Sequence, residues 1–219
     1  MSGRYRDRRS AGRELARELL AYAGRPDLLV LALPRGGVPV GFEIARALGV
    51  PLDVMLVRKL GVPGFDELAM GAIASGGVRF LNEGVIREHR VPREAIDHVT
   101  AREWRELQRR ERRYRGSRQE PSLTGRTVML VDDGLATGAT MRTAIAAVRA
   151  RAADRVTMAL PVAPRDSFDA LAGLVDDAVC PMFPEPFDAV GRWYDDFTST
   201  SDEEVCALLE EIRDDQPAD

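Results

Sequence analysis

The sequence predicts an α/β fold: an open, mostly parallel sheet with helices on both faces, plus a small β-ribbon and a long charged helix. Two entirely apolar runs, 28–33 and 128–131, are typical of strands buried on both faces of a sheet. Each run leads through a short glycine-containing turn into a helical pattern, at 38–48 and at 141–152. Strands that alternate with helices favour parallel pairing, because the helices supply the crossover connections.

One domain is expected, with a core at about 28–197 and a helix appended at each end. The first helix, 8–23, has an apolar face and ends before Gly24. The last helix, 202–213, follows a serine that suits an N-cap. The remaining core elements are two strands and a short helix, at 155–161, 177–180 and 167–174.

Composition and charge exclude several classes of protein. Apolar residues make up 45% of the chain and the net charge is −4, so the overall charge favours neither nucleic acid nor a membrane surface. No apolar run is long enough to span a membrane, and no apolar segment follows the basic start, so no signal peptide is expected. Cys180 and Cys206 lack metal-ligand spacing and indicate reduced thiols in a cytoplasmic protein. Neither a zinc pattern nor a Gly-x-Ser-x-Gly hydrolase motif is present in the sequence.

The most informative stretch follows the second apolar run. Asp132 and Asp133 stand where that strand should end, and a loop rich in glycine and threonine leads into the next helix. Backbone N–H groups at a helix N-terminus, with the hydroxyls of Thr137 and Thr140, can hold a phosphate. Two carboxylates beside them can accept hydrogen bonds from neighbouring sugar hydroxyls. The stretch therefore predicts a site for a phosphorylated sugar, and the alternative is a buried strand with a solvated turn.

A glycine pair follows the first apolar run, in the sequence Arg35-Gly36-Gly37. Glycines let a backbone approach an anion closely, and the arginine adds a positive charge. The pattern matches neither a Walker loop nor a spaced-glycine dinucleotide motif. An anion site and a plain strand-to-helix turn both fit these residues.

A basic pair, Arg58 and Lys59, ends the predicted third strand, 52–57. Cations at the carboxyl end of a strand either face the ligand crevice of an open sheet or form a solvated pair. The glycine- and proline-rich residues 60–66 predict a mobile loop. A hairpin is expected next, with strands at 67–74 and 78–82.

Two further segments carry alternatives. Residues 92–115 predict a long charged helix whose second half is rich in arginine. Acidic residues are interleaved throughout, so a solvated helix is preferred over a phosphate- or nucleic-acid-binding surface. The aromatic segment 184–197 could stack on a planar ring or pack on the core as a hydrophobic flap.

Residues 128–140 resemble, over all thirteen positions, the phosphoribosyl pyrophosphate (PRPP) signature of the type I phosphoribosyltransferase family. The resemblance implies that Asp132 and Asp133 bind the ribose hydroxyls and that the loop binds the 5′-phosphate. The implied loop residues are Ala136, Thr137, Gly138, Ala139 and Thr140. Pyrophosphate binding is implied for the glycine turn and the basic pair: Arg35, Gly36, Gly37, Arg58 and Lys59.

The same resemblance implies an activity, transfer of the 5-phosphoribosyl group of PRPP to a nucleobase or related nitrogen acceptor with release of pyrophosphate. Such a pentosyltransferase would depend on Mg²⁺ bound mainly through PRPP, with no direct metal site on the protein. Lys59, Arg58 and Asp133 are then the implied catalytic residues. The loop 60–66 and the hairpin correspond to a segment that closes over the site and excludes water.

The acceptor is less constrained. Val190, Trp193 and Tyr194 resemble a segment that covers the base in purine enzymes of the family. Ala136 stands where many 6-oxopurine enzymes have an aspartate, which argues against a hypoxanthine–guanine enzyme in nucleotide salvage. The alternatives are a non-catalytic PRPP-binding regulatory protein and an enzyme acting on another amine. The oligomeric state is open, and a homodimer is one option.

Overall fold

The computed structural model describes residues 3–215. Its strands are β1 (Leu28–Ala32), β2 (Leu52–Val54), β3 (Val57–Val62), β4 (Phe65–Ala74), β5 (Val78–Leu81), β6 (Thr127–Val131), β7 (Arg155–Ala159) and β8 (Asp177–Val179). Its α-helices are α1 (Arg8–Glu18), α2 (Gly37–Leu48), α3 (Glu83–Glu88), α4 (Arg93–Arg115), α5 (Ala139–Ala150), α6 (Arg165–Ala172) and α7 (Asp202–Asp214). Short 3₁₀ helices cover Leu20–Tyr22 and Val190–Trp193.

Five strands form one parallel sheet in the order β2-β1-β6-β7-β8, and β3, β4 and β5 form a separate antiparallel ribbon. All residues of β1 and β6 are buried, as expected for strands covered on both faces. The two strands are paired in register from Leu28 opposite Thr127 to Ala32 opposite Val131. The predicted fold class is confirmed, and the register brings the ends of β1 and β6 side by side.

Alternate residues of each central strand supply two cores, because successive side chains point to opposite faces of a sheet. On one face Val30 and Met129 pack with α1, α2 and α7, through residues such as Leu15 and Phe42. The other face buries Leu130 against α5 and α6. Burial of this kind stabilises a fold by about 25 cal/mol per Å² of apolar area removed from water.

The prediction that 52–57 forms one strand is wrong. Strand β2 ends at Val54, and β3 begins at Val57 in the other sheet, so the chain leaves the parallel sheet between them. Much of the predicted loop 60–66 is also strand, because Leu60 and Val62 are buried against the core. Register shifts around Gly61 accommodate this segment within the ribbon.

The long helix α4 forms as predicted and begins directly after Pro92. Its buried residues include Leu107 and Tyr114, which join the core shared with α7 and the ribbon. The guanidinium of Arg115 is also buried and pairs with Asp53 at 3.0 Å. Helix α3 has no counterpart among the sequence predictions. No helix within residues 3–215 is long and apolar enough to cross a membrane.

Candidate functional site

The turn after β1 and the turn after β6 touch each other. The backbone N–H of Leu33 donates to the carbonyl of Val131 at 2.8 Å, which extends the pairing past the end of β1. A Cβ atom on Gly37 would lie 2.8 Å from that carbonyl oxygen and 2.9 Å from Cα of Asp132. Only a residue without a side chain allows this approach. The predicted pyrophosphate turn and the acidic pair therefore form one continuous surface at the carboxyl edge of the sheet.

The acidic pair is partly enclosed by protein. Asp132 Oδ1 accepts the backbone N–H of Asp133 at 2.9 Å, and Asp133 Oδ2 accepts Nε of Arg8 at 2.7 Å. The Asp133 side chain is 15% exposed. Burial raises the pKa of Asp132 well above its usual range, and the neighbouring charge of Asp133 raises it further. Burial also raises the pKa of Asp133, while the Arg8 guanidinium acts in the opposite direction.

The predicted phosphate loop lies at the start of α5. Gly138 has φ +76° and is the N-cap residue of this helix. Among the described residues, no side chain accepts a capping hydrogen bond from the first N–H groups of α5. The first N–H groups of α5 are therefore available as hydrogen-bond donors, as is typical of a helix start. A cavity of about 210 Å³ lies over this loop. Its lining includes Asp132, Gly134, Leu135, Ala136, Thr137, Gly138, Ala139, Thr140, Met141 and Val190.

A larger cleft of about 600 Å³ separates the ribbon from the start of α5. Arg58 and Lys59 line it from β3, and small residues of β4 form part of its wall. Thr137 and Thr140 line it from the opposite side. The structure therefore brings the basic pair to face the predicted phosphate loop, although the pair lies in the ribbon and not at the end of a parallel strand as predicted.

The two members of the basic pair differ in their surroundings. Arg58 contacts Glu103 of α4 through Nε at 2.6 Å and through Nη2 at 2.5 Å. The Glu103 side chain is only 9% exposed, so this contact anchors the ribbon to α4. Lys59 is an exposed residue of the same strand. Both residues line the cleft, and Lys59 is the more exposed of the two.

The glycine turn, Arg35 to Gly37, has a neighbour that the sequence did not predict. The Pro34–Arg35 peptide is cis, and Nη1 of Arg35 lies 3.9 Å from Oδ1 of Asp202 at the start of α7. The same oxygen accepts the hydroxyl of Tyr114 at 2.6 Å. Helix α7, predicted as an appended element, therefore contacts the turn directly.

The three residues predicted to cover a base are placed differently. Val190 packs on the loop that follows the acidic pair, because a Cβ atom on Gly134 would lie 2.5 Å from Val190 Cγ1. Trp193 is half-buried and stacks on Phe187 with ring centroids 6.4 Å apart. Tyr194 is buried and its hydroxyl donates to the Asp133 carbonyl at 2.5 Å. Val190 thus lines the cavity, and Tyr194 supports the acidic pair from within the fold.

Sequence reasoning missed Arg8. This residue belongs to α1, which was predicted as an appended helix with an apolar face, yet it reaches a carboxylate 125 positions further along the chain. Its guanidinium also lies 3.8 Å from the Phe197 ring centroid and donates to the carbonyl of Thr198 at 2.7 Å. Nothing in the local pattern of an arginine-rich helix indicates which arginine turns inward.

The acidic pair does not by itself form a metal cage. Within the described part of the chain, no three or more His, Cys, Asp or Glu side chains are grouped to hold an ion. Mg²⁺ retains several waters and is commonly bound through substrate phosphates, so it does not require such a cage. Asp132 and Asp133 supply carboxylate oxygens, the donor type that Mg²⁺ prefers.

These elements define an α/β protein with two loops and a ribbon gathered at the carboxyl edge of a parallel sheet. The model of the phosphoribosyl transferase domain matches residues 64–170. The chain is 50% identical over 204 residues to a Mycobacterium tuberculosis H37Rv protein that is named, provisionally, a phosphoribosyl transferase. It therefore belongs to the phosphoribosyltransferase family. That match covers 93% of this chain and 46% of the relative, so the chain spans about half the relative's length.

Solved structures share the fold. The crystal structure of TT1426 from Thermus thermophilus is 43% identical and superposes with a TM-score of 0.81, covering 95% of this chain and 98% of that one. The structure of AQ2163 from Aquifex aeolicus is 11% identical with a TM-score of 0.51, covering 84% and 78% of the two chains. At that identity the second likeness concerns the fold alone.

Proposed function

We propose that the chain is a Mg²⁺-dependent phosphoribosyltransferase that transfers the 5-phosphoribosyl group of PRPP to a nitrogen acceptor. The bond from the anomeric carbon to pyrophosphate breaks, a bond to nitrogen forms, and the nitrogen loses a proton. The observation that carries this proposal is the cleft of about 600 Å³ in which Lys59 faces Thr137 and Thr140. A phosphate held on the loop would place the rest of PRPP between the acidic pair and the basic ribbon.

Each part of PRPP has a matching group. The first N–H groups of α5 and the hydroxyls of Thr137 and Thr140 suit the 5′-phosphate. The carboxylates of Asp132 and Asp133 suit the ribose hydroxyls and favour the positive charge that develops at the anomeric carbon. The glycine turn, with Arg35, Gly36 and Gly37, and Lys59 across the cleft suit the departing pyrophosphate.

Mg²⁺, when bound with PRPP, would neutralise charge on the leaving pyrophosphate. Asp132 and Asp133 would hold it indirectly, by orienting the ribose hydroxyls. Closure of the ribbon over the cleft would exclude water, which otherwise competes with the acceptor for the same carbon.

The acceptor is proposed to be a nucleobase or a related amine that enters beside Val190. Ala136 lines the same cavity and provides no carboxylate there to manage a proton on a 6-oxopurine. An adenine-type, pyrimidine-type or simpler amine acceptor is therefore favoured over hypoxanthine or guanine. We place this activity in the cytoplasm, within nucleotide salvage, and a homodimer is the assembly to test first.

A non-catalytic PRPP-binding regulator is the second candidate, and the Arg58–Glu103 contact favours it. Nε of Arg58 lies 2.6 Å from Oε2 of the buried Glu103. An arginine held in this way is less free to move toward a departing pyrophosphate. Several arginines of α4 pair with acids, which weighs against a nucleic-acid surface on this helix. Arg109 and Arg110 contact Glu106 at 2.8 and 2.9 Å, and Arg115 contacts Asp53.

The decisive experiment is pyrophosphate release from Mg²⁺–PRPP across a panel of nucleobases and simple amines, with PRPP binding measured by calorimetry. Release with one acceptor would establish the transferase and identify its substrate. Binding of PRPP without release would favour the regulator. Absence of PRPP binding would overturn both. Thr140→Val is the variant to compare with the wild type in both measurements, because it keeps the side-chain volume and removes one hydroxyl from the proposed phosphate loop.

A further inference from the structure

Arg8 is held at the acidic pair by three contacts, which come from two other parts of the chain. Its Nε donates to Asp133 Oδ2 at 2.7 Å, its Nη1 donates to the carbonyl of Thr198 at 2.7 Å, and its guanidinium lies 3.8 Å from the Phe197 ring centroid. The side chain is only 11% exposed. Its position is therefore set by the N-terminal helix and the C-terminal segment together, before any ligand is present.

The carboxylate that Arg8 contacts also lies against the pyrophosphate turn. The position of a Cβ atom on Gly36 is 2.0 Å from Asp133 Oδ2 and 3.2 Å from Arg8 Nε. One oxygen of Asp133 is thus enclosed between an arginine and a glycine. A carboxylate has a second oxygen with its own acceptor capacity, so this enclosure leaves one side of the group for a ligand.

We infer that Arg8 is a positioning residue of this site, which fixes Oδ2 of Asp133 and so presents the second carboxylate oxygen to a ribose hydroxyl. The inference rests on the proposed function. Arg8 does not touch the reacting atoms; it acts through Asp133. A guanidinium suits this task because its charge is permanent and its planar group can serve several acceptors at once.

The charges around Asp133 support the same role. Asp132 adjoins it in sequence, Tyr194 donates to its carbonyl from the C-terminal segment, and Arg8 reaches it from α1. Tyr5 packs against Tyr194 with the rings tilted, and burial raises the pKa of both phenols, so neither supplies charge at neutral pH. The glycine turn that packs against Asp133 contains one charged residue, Arg35, and its guanidinium contacts Asp202. Among residues 3–215, Arg8 is therefore the cation seen in direct contact with Asp133, and its loss would leave two adjacent acids without that partner.

The alternative is that Arg8 blocks the site and must leave before PRPP binds. The contacts with Phe197 and Thr198 argue against this, because they would have to break as well. The two roles predict opposite effects of substitution. Removal of a positioning residue weakens binding, whereas removal of a blocking residue strengthens it.

The test compares Arg8→Gln, Arg8→Lys and a matched control, Arg9→Gln. Arg9 lies on the same helix and pairs with Glu43 at 2.6 Å, and Glu43 keeps contacts with Arg13 and Arg46 when Arg9 is lost. Calorimetry would measure Mg²⁺–PRPP affinity as a function of pH, from neutral to alkaline conditions. We expect Arg8→Gln to bind about tenfold more weakly near neutral pH, the scale of one hydrogen bond to a charged group. Its affinity should recover toward higher pH as Asp133 ionises, Arg8→Lys should lose less, and Arg9→Gln should match the wild type.

A second measurement uses the protein without ligand. Aspartate labelled with ¹³C at the carboxyl carbon would be titrated by NMR, with Asp133→Asn identifying the Asp133 signal. Titration of Asp133 at higher pH in Arg8→Gln than in the wild type supports the inference. Should Arg8→Gln fail to fold, Arg8→Lys provides the same comparison.

The outcomes separate the two proposals. No PRPP binding by the wild-type protein would overturn the proposed function, and the carboxyl titration would still decide whether Arg8 controls Asp133. Wild-type binding with an unchanged affinity and pH profile in Arg8→Gln would overturn the inference alone. Tighter binding by Arg8→Gln would also overturn it, in favour of a blocking arginine.

Discussion

A Cβ atom on Gly36 would lie 2.0 Å from Oδ2 of Asp133. The two residues belong to turns after different strands, and they meet because β1 and β6 are paired in register at their carboxyl ends. No side chain can be added at Gly36 unless the Asp133 carboxylate moves. The glycine is therefore required by a close approach between two turns, in addition to any contact with a ligand.

Gly36→Ala is expected to weaken Mg²⁺–PRPP binding by about tenfold or more and to lower the free energy of unfolding by about 1–3 kcal/mol, the usual cost of overpacking. Calorimetry and urea denaturation would measure the two effects. Gly173→Ala is the control, since a Cβ atom there has no neighbour within 4 Å. Equal behaviour of the two variants would contradict the close approach.

Asp132→Asn is expected to abolish turnover and yet to stabilise the protein at neutral and alkaline pH. Burial raises the pKa of Asp132 in the folded state above its unfolded value. The folded state therefore favours the protonated acid, and stability falls as the pH rises through the folded pKa. Asparagine removes this penalty, so the gain, about 1 kcal/mol or more, should appear at about pH 8 and vanish below the unfolded pKa.

Thermal unfolding from about pH 4 to about pH 8, a range that starts near the unfolded pKa of an aspartate, would measure the difference. Asp133→Asn provides the comparison, because it leaves the buried Arg8 without its carboxylate and should abolish turnover without a stability gain. If the difference in stability between Asp132→Asn and the wild type did not change with pH, the assigned environment of Asp132 would be contradicted.

Lys59→Ala is expected to slow turnover by about tenfold or more while changing PRPP affinity by less than about threefold, if the ammonium acts mainly on the departing pyrophosphate. Single-turnover kinetics and calorimetry would separate the two. Arg79→Ala is the matched control, since Arg79 lies on the same ribbon and contacts exposed Asp97 at 3.4 Å. A loss confined to affinity would show that Lys59 acts on the bound substrate and not on the transition state.

Lys59 also offers a direct probe of the cleft, because it is the only lysine of the chain. Amine-reactive labelling followed by peptide mass spectrometry would report on this side chain. Mg²⁺–PRPP is expected to protect Lys59 from labelling. Labelling at an unchanged rate with saturating PRPP would place the ligand elsewhere.

Glu103→Gln is expected to lower the free energy of unfolding by about 3 kcal/mol, because it removes the charge that faces Arg58 at a largely buried position. Glu106→Gln, on the same helix, changes a carboxylate that is 29% exposed, against 9% for Glu103, and should cost about 1 kcal/mol or less. Chemical denaturation would compare them. Similar costs for the two variants would show that Arg58 does not anchor the ribbon.

Local patterns were sufficient for much of the fold. Apolar runs identified β1 and β6, glycines marked the turns after them, and the charged periodicity of α4 identified a long helix. These signals are local, since the burial and backbone conformation of a few successive residues produce them. The segment 52–62 was misread for the same reason: its residues fit one strand and a loop, and the change of sheet at Met55 and Leu56 leaves no local signature.

The sequence by itself determined the chemistry of the acidic pair, the phosphate loop and the glycine turn, because residue type and short spacing specify which groups are available. Only the tertiary structure decided what those groups contact. Arg8 reaches Asp133 across 125 positions, and Arg58 is held by Glu103 on another element. Both contacts depend on how helices pack on the sheet and the ribbon, which is set by the whole core and not by any segment of the chain.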